Sequence, residues 1–128
     1  MSSIPADLRY TKEHEYVRAA GDGVLTVGIT DYAQGELGDV VFLNRPKPGD
    51  AVAAQQPFGT IEAVKAVSEL FSPVSGVILE VNGTLEGDPA AVNRDPYGAG
   101  WMVRLRPAAG AQPPALLDAA AYKAHIGE

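Results

Sequence analysis

Short apolar runs separated by glycine and proline make up most of the chain, a pattern typical of strands joined by tight turns. Strands are predicted at residues 15–18, 24–29, 40–43, 58–64, 70–81 and 101–106. The first two are expected to form a hairpin, because residues 21–23 between them read Gly-Asp-Gly, a turn sequence. Pro73 and Gly76 interrupt the fifth run, and since proline cannot donate to a strand ladder, a strand should end near Pro73.

Helical patterns occur at two places, one inside the chain and one at its C-terminal end. Asp31, followed three residues later by glutamine, resembles the start of a capping box, and Gly38 can end a helix. About two helical turns are therefore predicted over residues 32–37. The tail is predicted to become helical over about residues 113–126, with Asp118 as a helix cap. The chain is thus predicted to be mainly β, with a short internal helix and C-terminal helices.

Length and composition bound the class of protein. A chain of 128 residues corresponds to a single domain, residues 1–128, with a core over about residues 15–106 and the helical extension after it. The 14 glycines and 10 prolines disfavour a helical bundle. The longest apolar runs fall far short of the ~18 residues that span a bilayer, and no charged-then-apolar leader follows Met1, so a cytoplasmic protein is expected. The absence of cysteine excludes disulfides, thiolate nucleophiles and cysteine-held metal clusters.

The charge of the chain is unevenly distributed. Its formal net charge of −6 argues against nucleic-acid binding, which depends on cationic side chains that neutralise phosphates. Residues 48–93 contain a single cation, Lys65, and carry most of the net negative charge. The acidic residues of this segment are Asp50, Glu62, Glu69, Glu80, Glu86 and Asp88. A solitary lysine in an acidic segment is therefore the feature that a function has to explain.

Most catalytic and metal-binding patterns are missing from the sequence. His14 and His125 lie near opposite ends of the chain, outside any metal-ligand spacing, and ordinary polar or surface roles are expected for both. Ser75 lacks the first glycine of a nucleophile elbow. Residues 21–26 lack the third glycine of a dinucleotide-binding fingerprint and precede a strand rather than a helix. No catalytic residue and no metal site is predicted.

Two features carry potential chemistry. Lys65 lies between two strand-like segments and is expected at or near a hairpin tip, where another enzyme could acylate its amine. For a turn lysine, a role in solubility is the alternative interpretation. Glu13 and Glu15 would share one face of an extended segment and could act together, or they could form only a solvated pair.

Four sequence blocks carry a resemblance that covers essentially the whole chain. They are residues 12–17 (KEHEYV), 27–34 with 37–42 (VGITDYAQ and LGDVVF), 59–76 (GTIEAVKAVSELFSPVSG), and 93–97 with 100–102 (NRDPY and GWM). In this order and spacing they closely resemble the H-protein family of the glycine cleavage system. Two positions depart from the family's pattern: Ala63 stands where serine is frequent, and Tyr16 where tryptophan is frequent. Neither departure removes the lysine amine.

The resemblance implies a fold and a set of site residues. The fold would be lipoyl-domain-like, a β-sandwich or hybrid barrel with small helices added. Lys65 would carry lipoate in amide linkage. The turn that supports it would consist of Glu62, Ala63, Val64 and Ala66. Glu15 and Glu69 would line a pocket for the carried intermediate and hold its cationic amine by charge-assisted hydrogen bonds.

The resemblance also implies a role: a monomeric, non-catalytic carrier that shuttles the aminomethyl group of glycine between enzymes. Its partners would be a pyridoxal-phosphate glycine decarboxylase, a tetrahydrofolate-dependent aminomethyltransferase, and a lipoamide dehydrogenase that uses FAD and NAD. A lipoate-attaching enzyme would modify Lys65. The redox-active sulfurs that a chain without cysteine lacks would then come from the attached lipoate.

Other interpretations of the same lysine stay open at this point. A lipoyl carrier of a 2-oxo acid dehydrogenase and a biotinyl carrier of a carboxylase are the nearest alternatives. Biotin acceptors usually flank the lysine with methionines, whereas Val64 and Ala66 flank Lys65, and carriers of both kinds lack the 12–17 and 93–101 blocks. A structural or interaction domain with an unmodified lysine belongs to a different class. Donation of lipoyl groups to other carriers is a further activity that the sequence leaves open.

Overall fold

The computed structural model describes residues 3–19, 23–108 and 116–128, and these form a mainly β molecule. In chain order the strands are β1 Arg9–Tyr10, β2 Glu15–Ala19, β3 Leu25–Ile29, β4 Val40–Asn44, β5 Ala51–Val52, β6 Pro57–Ala63, β7 Val67–Phe71, β8 Gly76–Val81 and β9 Val103–Pro107. The helices are α1 Asp31–Leu37, α2 Thr84–Gly87, α3 Ala91–Arg94 and α4 Ala119–His125. The predicted mainly β fold with a short internal helix is confirmed.

The strands form two antiparallel sheets that pack against each other. One sheet has the strand order β1-β2-β3-β9-β8-β5, and the other has the order β4-β6-β7. β2 and β3 form the predicted hairpin, with Val17 opposite Val27. β6 and β7 form a second hairpin, with Glu62 opposite Val67 in its last pair. The connection between β6 and β7 contains Lys65, so the smaller sheet presents the lysine.

Apolar side chains from both sheets make up the main core. The larger sheet contributes Val27, Ile29, Ile78, Val103 and Leu105, and the smaller sheet contributes Val40, Leu43, Phe58, Ile61 and Leu70. In β9 the alternation is regular, because Val103 and Leu105 are buried while Arg104 and Arg106 are exposed. Burying each large aliphatic side chain contributes about 1.5–3 kcal/mol, so this shared core holds the two sheets together.

A second, aromatic cluster fastens the C-terminal segment to the larger sheet. Its buried members are Leu8, Tyr10, Tyr16 and Tyr122. The rings of Tyr10 and Tyr122 stack with their centroids 4.7 Å apart. Leu117 forms an antiparallel bridge with Tyr10, so the chain before α4 lies beside β1. This arrangement places α4 next to the turn between β1 and β2, which forms part of the site described below.

The start of α1 differs from the predicted one. The N-cap is Thr30, whose hydroxyl oxygen accepts the N–H of Ala33 at 3.2 Å, and the helix includes Asp31. The predicted cap Asp31 instead lies in the first turn and accepts a hydrogen bond from the Gln34 side chain at 2.8 Å. Gly38 ends the helix as predicted, with a φ of 79°.

The C-terminal helix is shorter than the predicted extension. Asp118 caps it as predicted, since its carboxylate accepts the N–H of Ala121 at 2.8 Å. The helix covers Ala119–His125, and residues 116–118 of the predicted helical stretch are not helical because Leu117 pairs with β1. Residues 113–115 of that stretch lie outside the described residues. A second C-terminal helix does not occur within residues 116–128.

Three smaller features also differ from the sequence-based expectation. The one-turn helices α2 and α3 were not predicted, because four residues show no helical periodicity. β7 begins at Val67, three residues earlier than expected. Trp101 precedes β9 and lies half-buried with the Arg104 guanidinium 4.7 Å from its ring centroid.

None of the helices within the described ranges is long and apolar enough to cross a membrane.

Candidate functional site

Lys65 lies at the tip of the β6–β7 hairpin, as expected from its position between two strands. The backbone N–H of Ala63 donates to the carbonyl of Ala66 at 2.9 Å and closes the turn. The neighbouring Val64 and Val67 are 71% and 67% exposed. The lysine amine therefore stands on a tight turn whose apolar side chains face water.

The hairpin tip is fastened to the connection between α1 and β4. The N–H of Val64 donates to the carbonyl of Asp39 at 3.0 Å, and the N–H of Lys65 donates to the carbonyl of Leu37 at 3.1 Å. Between these acceptors, Gly38 has a positive φ, and a Cβ built there would lie 3.2 Å from Cγ of Lys65. The absence of a side chain at Gly38 therefore makes room for the lysine stem. We call the backbone of residues 37–39 the platform.

Asn93 holds the platform from its other side. The side-chain nitrogen of Asn93 donates to the carbonyl of Gly38 at 2.9 Å and to the side-chain oxygen of Gln34 at 3.0 Å. The side-chain oxygen of Asn93 accepts the N–H of Val40 at 2.8 Å. These bonds join α3 to the end of α1 and the start of β4, and so they give the lysine turn a fixed base.

The four residues expected to support the turn contribute in different ways. Ala63 and Ala66 close the turn, and Val64 fastens it to the platform. Glu62 is exposed and pairs with Val67 across the hairpin. Backbone hydrogen bonds thus account for the support that the structure provides to Lys65.

A cleft of about 220 Å³ lies beside the platform, between α1 and the ends of the strands. Apolar parts of its lining come from Ile29, Leu37, Ile61 and Leu70, and carboxyl groups come from Glu13, Glu15, Glu36 and Glu69. Leu37 belongs to both features, because it lines the cleft while its carbonyl accepts the N–H of Lys65. The turn that carries the lysine is therefore a direct neighbour of the cleft.

Glu15 is the buried acid of the cleft, with only 2% of its surface exposed. The hydroxyl of Thr11 donates to Oε1 of Glu15 at 2.8 Å, and the N–H of Glu15 donates to the same hydroxyl oxygen at 3.0 Å. Burial raises the pKa of Glu15 to about 8, and it outweighs hydrogen bonds from Thr11 and the Phe71 backbone that act in the opposite direction. No Lys, Arg or His in the described ranges forms an ion pair with Glu15. A cation that entered the cleft would therefore meet a carboxyl group without an ionic partner.

The structure places the second predicted pocket acid, Glu69, in the same cleft. Glu69 is exposed and lines the cleft from β7. Glu13 also lines the cleft and is exposed, so the interpretation of Glu13 and Glu15 as a solvated pair is wrong for Glu15. Glu36 on α1 adds a carboxylate that was not predicted. The cleft thus combines one buried and three exposed acids.

The acidic surroundings of the lysine come only in part from the acidic segment 48–93. Among the described residues, three of its carboxylates pair with arginines from outside it: Glu80 with Arg104, Glu86 with Arg45, and Asp88 with Arg94. Glu62 and Glu69 stay near Lys65, and the other acids of the cleft come from residues 13–36. Lys65 itself takes part in no ion pair within the part of the chain that the structure describes.

The two histidines, distant in sequence, meet beside the cleft with their ring centroids 5.7 Å apart. His125 is exposed, as expected, and its Nε2 lies 3.1 Å from the carbonyl oxygen of Lys12. His14 is half-buried, lines the cleft and hydrogen-bonds the Tyr122 hydroxyl, so of the two expected roles the polar one fits this residue and the surface one does not. Burial lowers the pKa of His14, and the nearby His125 lowers it further. Residues 3–19, 23–108 and 116–128 contain no cluster of side chains suited to hold a metal ion.

Several residues of the site were not predicted to belong to it. Thr11 and His14 lie beside or inside the 12–17 block, so the block itself was the available signal. Tyr32 and Glu36 both line the cleft and are four residues apart in α1, a spacing that puts them on one helix face. The amphipathic face of this helix could therefore have indicated them.

Fold and site together define a class: small carrier-type β domains that present one lysine on a fastened hairpin tip beside an acid-lined cleft. Comparison with known proteins identifies the family within this class. The family model described as "Glycine cleavage H-protein" matches residues 8–128. The chain belongs to this family.

Similar proteins agree with that membership. The glycine cleavage system H protein of Mycolicibacterium vanbaalenii is 51% identical over 131 residues, which span 100% of both chains. That of Rubrobacter xylanophilus is 60% identical over 106 residues, 83% of each chain. A crystal structure of a glycine cleavage system H protein from Mycobacterium marinum matches with a TM-score of 0.91 at 41% identity, covering 98% of this chain and 100% of that one. The family resemblance seen in the sequence is confirmed, and the carriers of other complexes are set aside.

Proposed function

We propose that the protein is the lipoylated carrier of a glycine cleavage system and moves an aminomethyl group between enzymes on an arm attached to Lys65. The observation that carries this proposal is an exposed primary amine on a fastened turn beside a cleft lined by carboxyl groups. Attached lipoate would supply a pair of sulfur atoms that open and close as a disulfide and can bear a one-carbon amine.

The surroundings of Lys65 fit amide formation with lipoate. The residue is exposed, and its stem rests over Gly38. An attaching enzyme would meet a rigid turn, because two backbone bonds hold the tip to Leu37 and Asp39. The apolar side chains of Ile29, Ile61 and Leu70 line the adjacent cleft and match the methylene chain of such an arm.

The carboxyl groups of the cleft fit a cationic amine as cargo. Because the pKa of Glu15 is raised to about 8, this carboxyl group holds its proton near neutral pH while no cation is present. A bound ammonium group favours the ionised form and would gain a charge-assisted hydrogen bond in a site shielded from water. Glu69 offers a second, exposed carboxylate from β7, with a weaker contribution because water screens it.

The partners proposed for this carrier follow from its family. They are a pyridoxal-phosphate glycine decarboxylase, a tetrahydrofolate-dependent aminomethyltransferase, a lipoamide dehydrogenase and a lipoate-attaching enzyme. In this scheme the chain performs no catalysis itself and serves to carry, hold and present the arm. A monomeric state and a cytoplasmic location remain predictions of the sequence.

Intact mass after expression in a lipoate-replete host tests the attachment. We expect a gain of one lipoyl group, abolished in Lys65→Arg and kept in Lys47→Arg, which alters another exposed lysine. An unmodified wild-type protein would contradict the carrier function and favour an interaction domain. A gain of one biotinyl group would also contradict it and favour a carboxylase carrier.

The rate of spontaneous loss of the aminomethyl group tests the cleft. Glu15→Gln should accelerate the loss about tenfold or more, since hydrogen bonds to charged groups contribute about 1.5–3 kcal/mol. Glu69→Gln should have a smaller effect. Glu80→Gln, which removes an exposed acid paired with Arg104, is the control and should leave the rate unchanged. The pocket role is wrong if neither cleft variant differs from the wild type.

A further inference from the structure

The C-terminal helix reaches the wall of the cleft through a hydrogen-bonded chain that the proposed carrier function does not use. Tyr122 of α4 is fully buried, and its hydroxyl lies 2.8 Å from Oγ1 of Thr30 and 2.8 Å from Nδ1 of His14. His14 lines the cleft between Glu13 and Glu15. We call residues 13–15 the rim. The chain of contacts thus joins α4 to the cap of α1 and to the rim.

The backbone of the rim needs such restraints. His14 has a φ of 73°, in the left-handed region that residues with a Cβ occupy at a cost and only where their surroundings hold them. Its N–H donates to the carbonyl of Thr11 at 3.1 Å, and its carbonyl accepts the N–H of Thr30 at 3.0 Å. The bond to Tyr122 adds a side-chain restraint from the opposite end of the chain.

While His14 is neutral, each hydroxyl proton in this hydrogen-bonded chain of side chains has an acceptor. Tyr122 then donates to Nδ1 of His14, Thr30 donates to the Tyr122 oxygen, and the Thr30 oxygen accepts the N–H of Ala33. A protonated His14 must instead donate from Nδ1 to the Tyr122 oxygen. Tyr122 can then donate only to Thr30, and the fully buried hydroxyl proton of Thr30 loses its acceptor. Protonation of His14 therefore reverses both hydrogen bonds and weakens the chain, because one buried hydroxyl proton is left without an acceptor.

Titratable groups face His14 from the elements packed around it. They are Tyr122 and His125 on α4, Tyr32 and Glu36 on α1, Glu13 and Glu15 on its own segment, and Glu69 of β7 in the lining of the same cleft. Burial lowers the pKa of His14, His125 lowers it further, and Glu36 acts in the opposite direction. A charge on His14 is disfavoured by the ring of His125 on α4, whose centroid lies 5.7 Å away, so protonation weakens the docking of α4.

We propose that Tyr122 is a positioning residue of the cleft: it holds the rim firmly through His14 while His14 is neutral and more weakly when His14 is protonated, so that the rim opens more often. The consequence for the cargo rests on the proposed carrier function. Opening of the rim admits water, which breaks the C–S and C–N bonds of the carried group. Water supplies the oxygen of the formaldehyde formed, and its two protons go to the sulfur and to the departing ammonia.

The first experiment uses the unmodified protein and follows the imidazole nitrogens by heteronuclear NMR from about pH 5 to about pH 8, the range in which histidine titrates. The wild type should show Nδ1 of His14 as the unprotonated acceptor and a pKa below the ordinary 6.5. Tyr122→Phe keeps the ring that stacks on Tyr10 but removes the hydroxyl, and it should move the pKa of His14 upward. The control, Tyr10→Phe, removes a tyrosine hydroxyl of the same stack that donates to the Pro5 carbonyl, and it should leave His14 unchanged.

The second experiment measures loss of the aminomethyl group from the lipoylated protein against pH. Relative to Tyr10→Phe, Tyr122→Phe should lose the group about two- to tenfold faster at neutral pH, the effect of one hydrogen bond. The extra acceleration that the wild type shows on acidification should disappear. His14→Asn keeps an acceptor and tolerates the left-handed backbone but does not titrate, so it should also lack the acid step.

The outcomes separate the two proposals. Equal His14 titration in Tyr122→Phe and Tyr10→Phe would overturn the positioning role, and so would equal rates of loss in these variants. An acid step that persists in His14→Asn would overturn the role of His14 as the titrating group. If the wild type is not lipoylated, or loses the group as fast as its urea-unfolded form, the carrier function fails instead. In that case the NMR titration still decides whether Tyr122 positions His14.

Discussion

Replacing Glu15 by glutamine should make the protein more stable at neutral pH, although Glu15 lies in the proposed site. The empty cleft buries this carboxyl group, and burial raises its pKa from the ordinary 4.5 to about 8. The folded state therefore binds the proton more tightly than the unfolded state does. For an acid with a raised pKa, the stability contribution is fully present below the unfolded pKa and is lost as pH rises toward the folded pKa. Glutamine resembles the protonated acid and does not titrate.

The size of the effect follows from the difference between the two pKa values. One pKa unit corresponds to about 1.4 kcal/mol, so between about pH 4 and about pH 7 the wild type should lose on the order of 3 kcal/mol of unfolding free energy relative to Glu15→Gln. The loss should approach about 5 kcal/mol by about pH 9 and then level off. Near pH 4 the two proteins should be almost equally stable, because the glutamine oxygen can still accept the hydrogen bond from Thr11.

Urea unfolding of the unmodified proteins at a series of pH values measures this difference directly. Glu13→Gln is the matched control, because it removes a carboxylate from the same cleft at an exposed position. Its unfolding free energy should follow that of the wild type across the series. Parallel curves for Glu15→Gln and the wild type, separated by less than about 1 kcal/mol at every pH, would refute the conclusion that Glu15 is buried without a cationic partner.

Two further predictions concern the scaffold of the site. Gly28→Ala would place a Cβ 2.7 Å from the buried Tyr16 ring, whose hydroxyl is fixed to the Pro96 carbonyl, and should cost about 1–3 kcal/mol in urea unfolding. At Gly35 in α1 a Cβ would meet no neighbouring atom, so Gly35→Ala should instead stabilise the protein by about 0.5–1 kcal/mol. A destabilised Gly35→Ala protein would show that the space around the new Cβ does not decide the effect of these glycine substitutions. Asn93→Ala removes three hydrogen bonds, one to the platform at Gly38 and two to Gln34 and Val40 beside it. It should cost about 2–3 kcal/mol and slow the lipoylation of Lys65, which intact mass follows over time. A folded Asn93→Ala protein modified at the wild-type rate would show that the platform does not matter for attachment.

Local features of the fold could be predicted from the sequence. The β2–β3 hairpin, the end of α1 at Gly38 and the Asp118 cap depend on residues that are near neighbours in the chain. The N-cap of α1 was misplaced by one residue because Thr30 and Asp31 are both residue types that cap well. The helices α2 and α3 could not be predicted, since tertiary packing rather than periodicity supports a single turn.

The candidate site was predicted to different extents. Alternating apolar runs on both sides of Lys65 were enough to place it at a hairpin tip. Glu15 and Glu69 were indicated by family resemblance, and the structure brings both to one cleft. The approach of Tyr122 to His14 was not predicted, because their segments are joined only by the packing of α4 against β1 and β2.

The sequence by itself determined the strand and turn pattern, the position of Lys65 and the family, because alternation, turn residues and ordered motifs act along the chain. The tertiary structure decided which acids surround that lysine. It paired Glu80, Glu86 and Asp88 with arginines from outside the acidic segment and brought Glu69 of that segment into the cleft beside Glu13, Glu15 and Glu36. It also decided that Glu15 is protonated more readily than an exposed acid, since desolvation depends on what packs around a group in space.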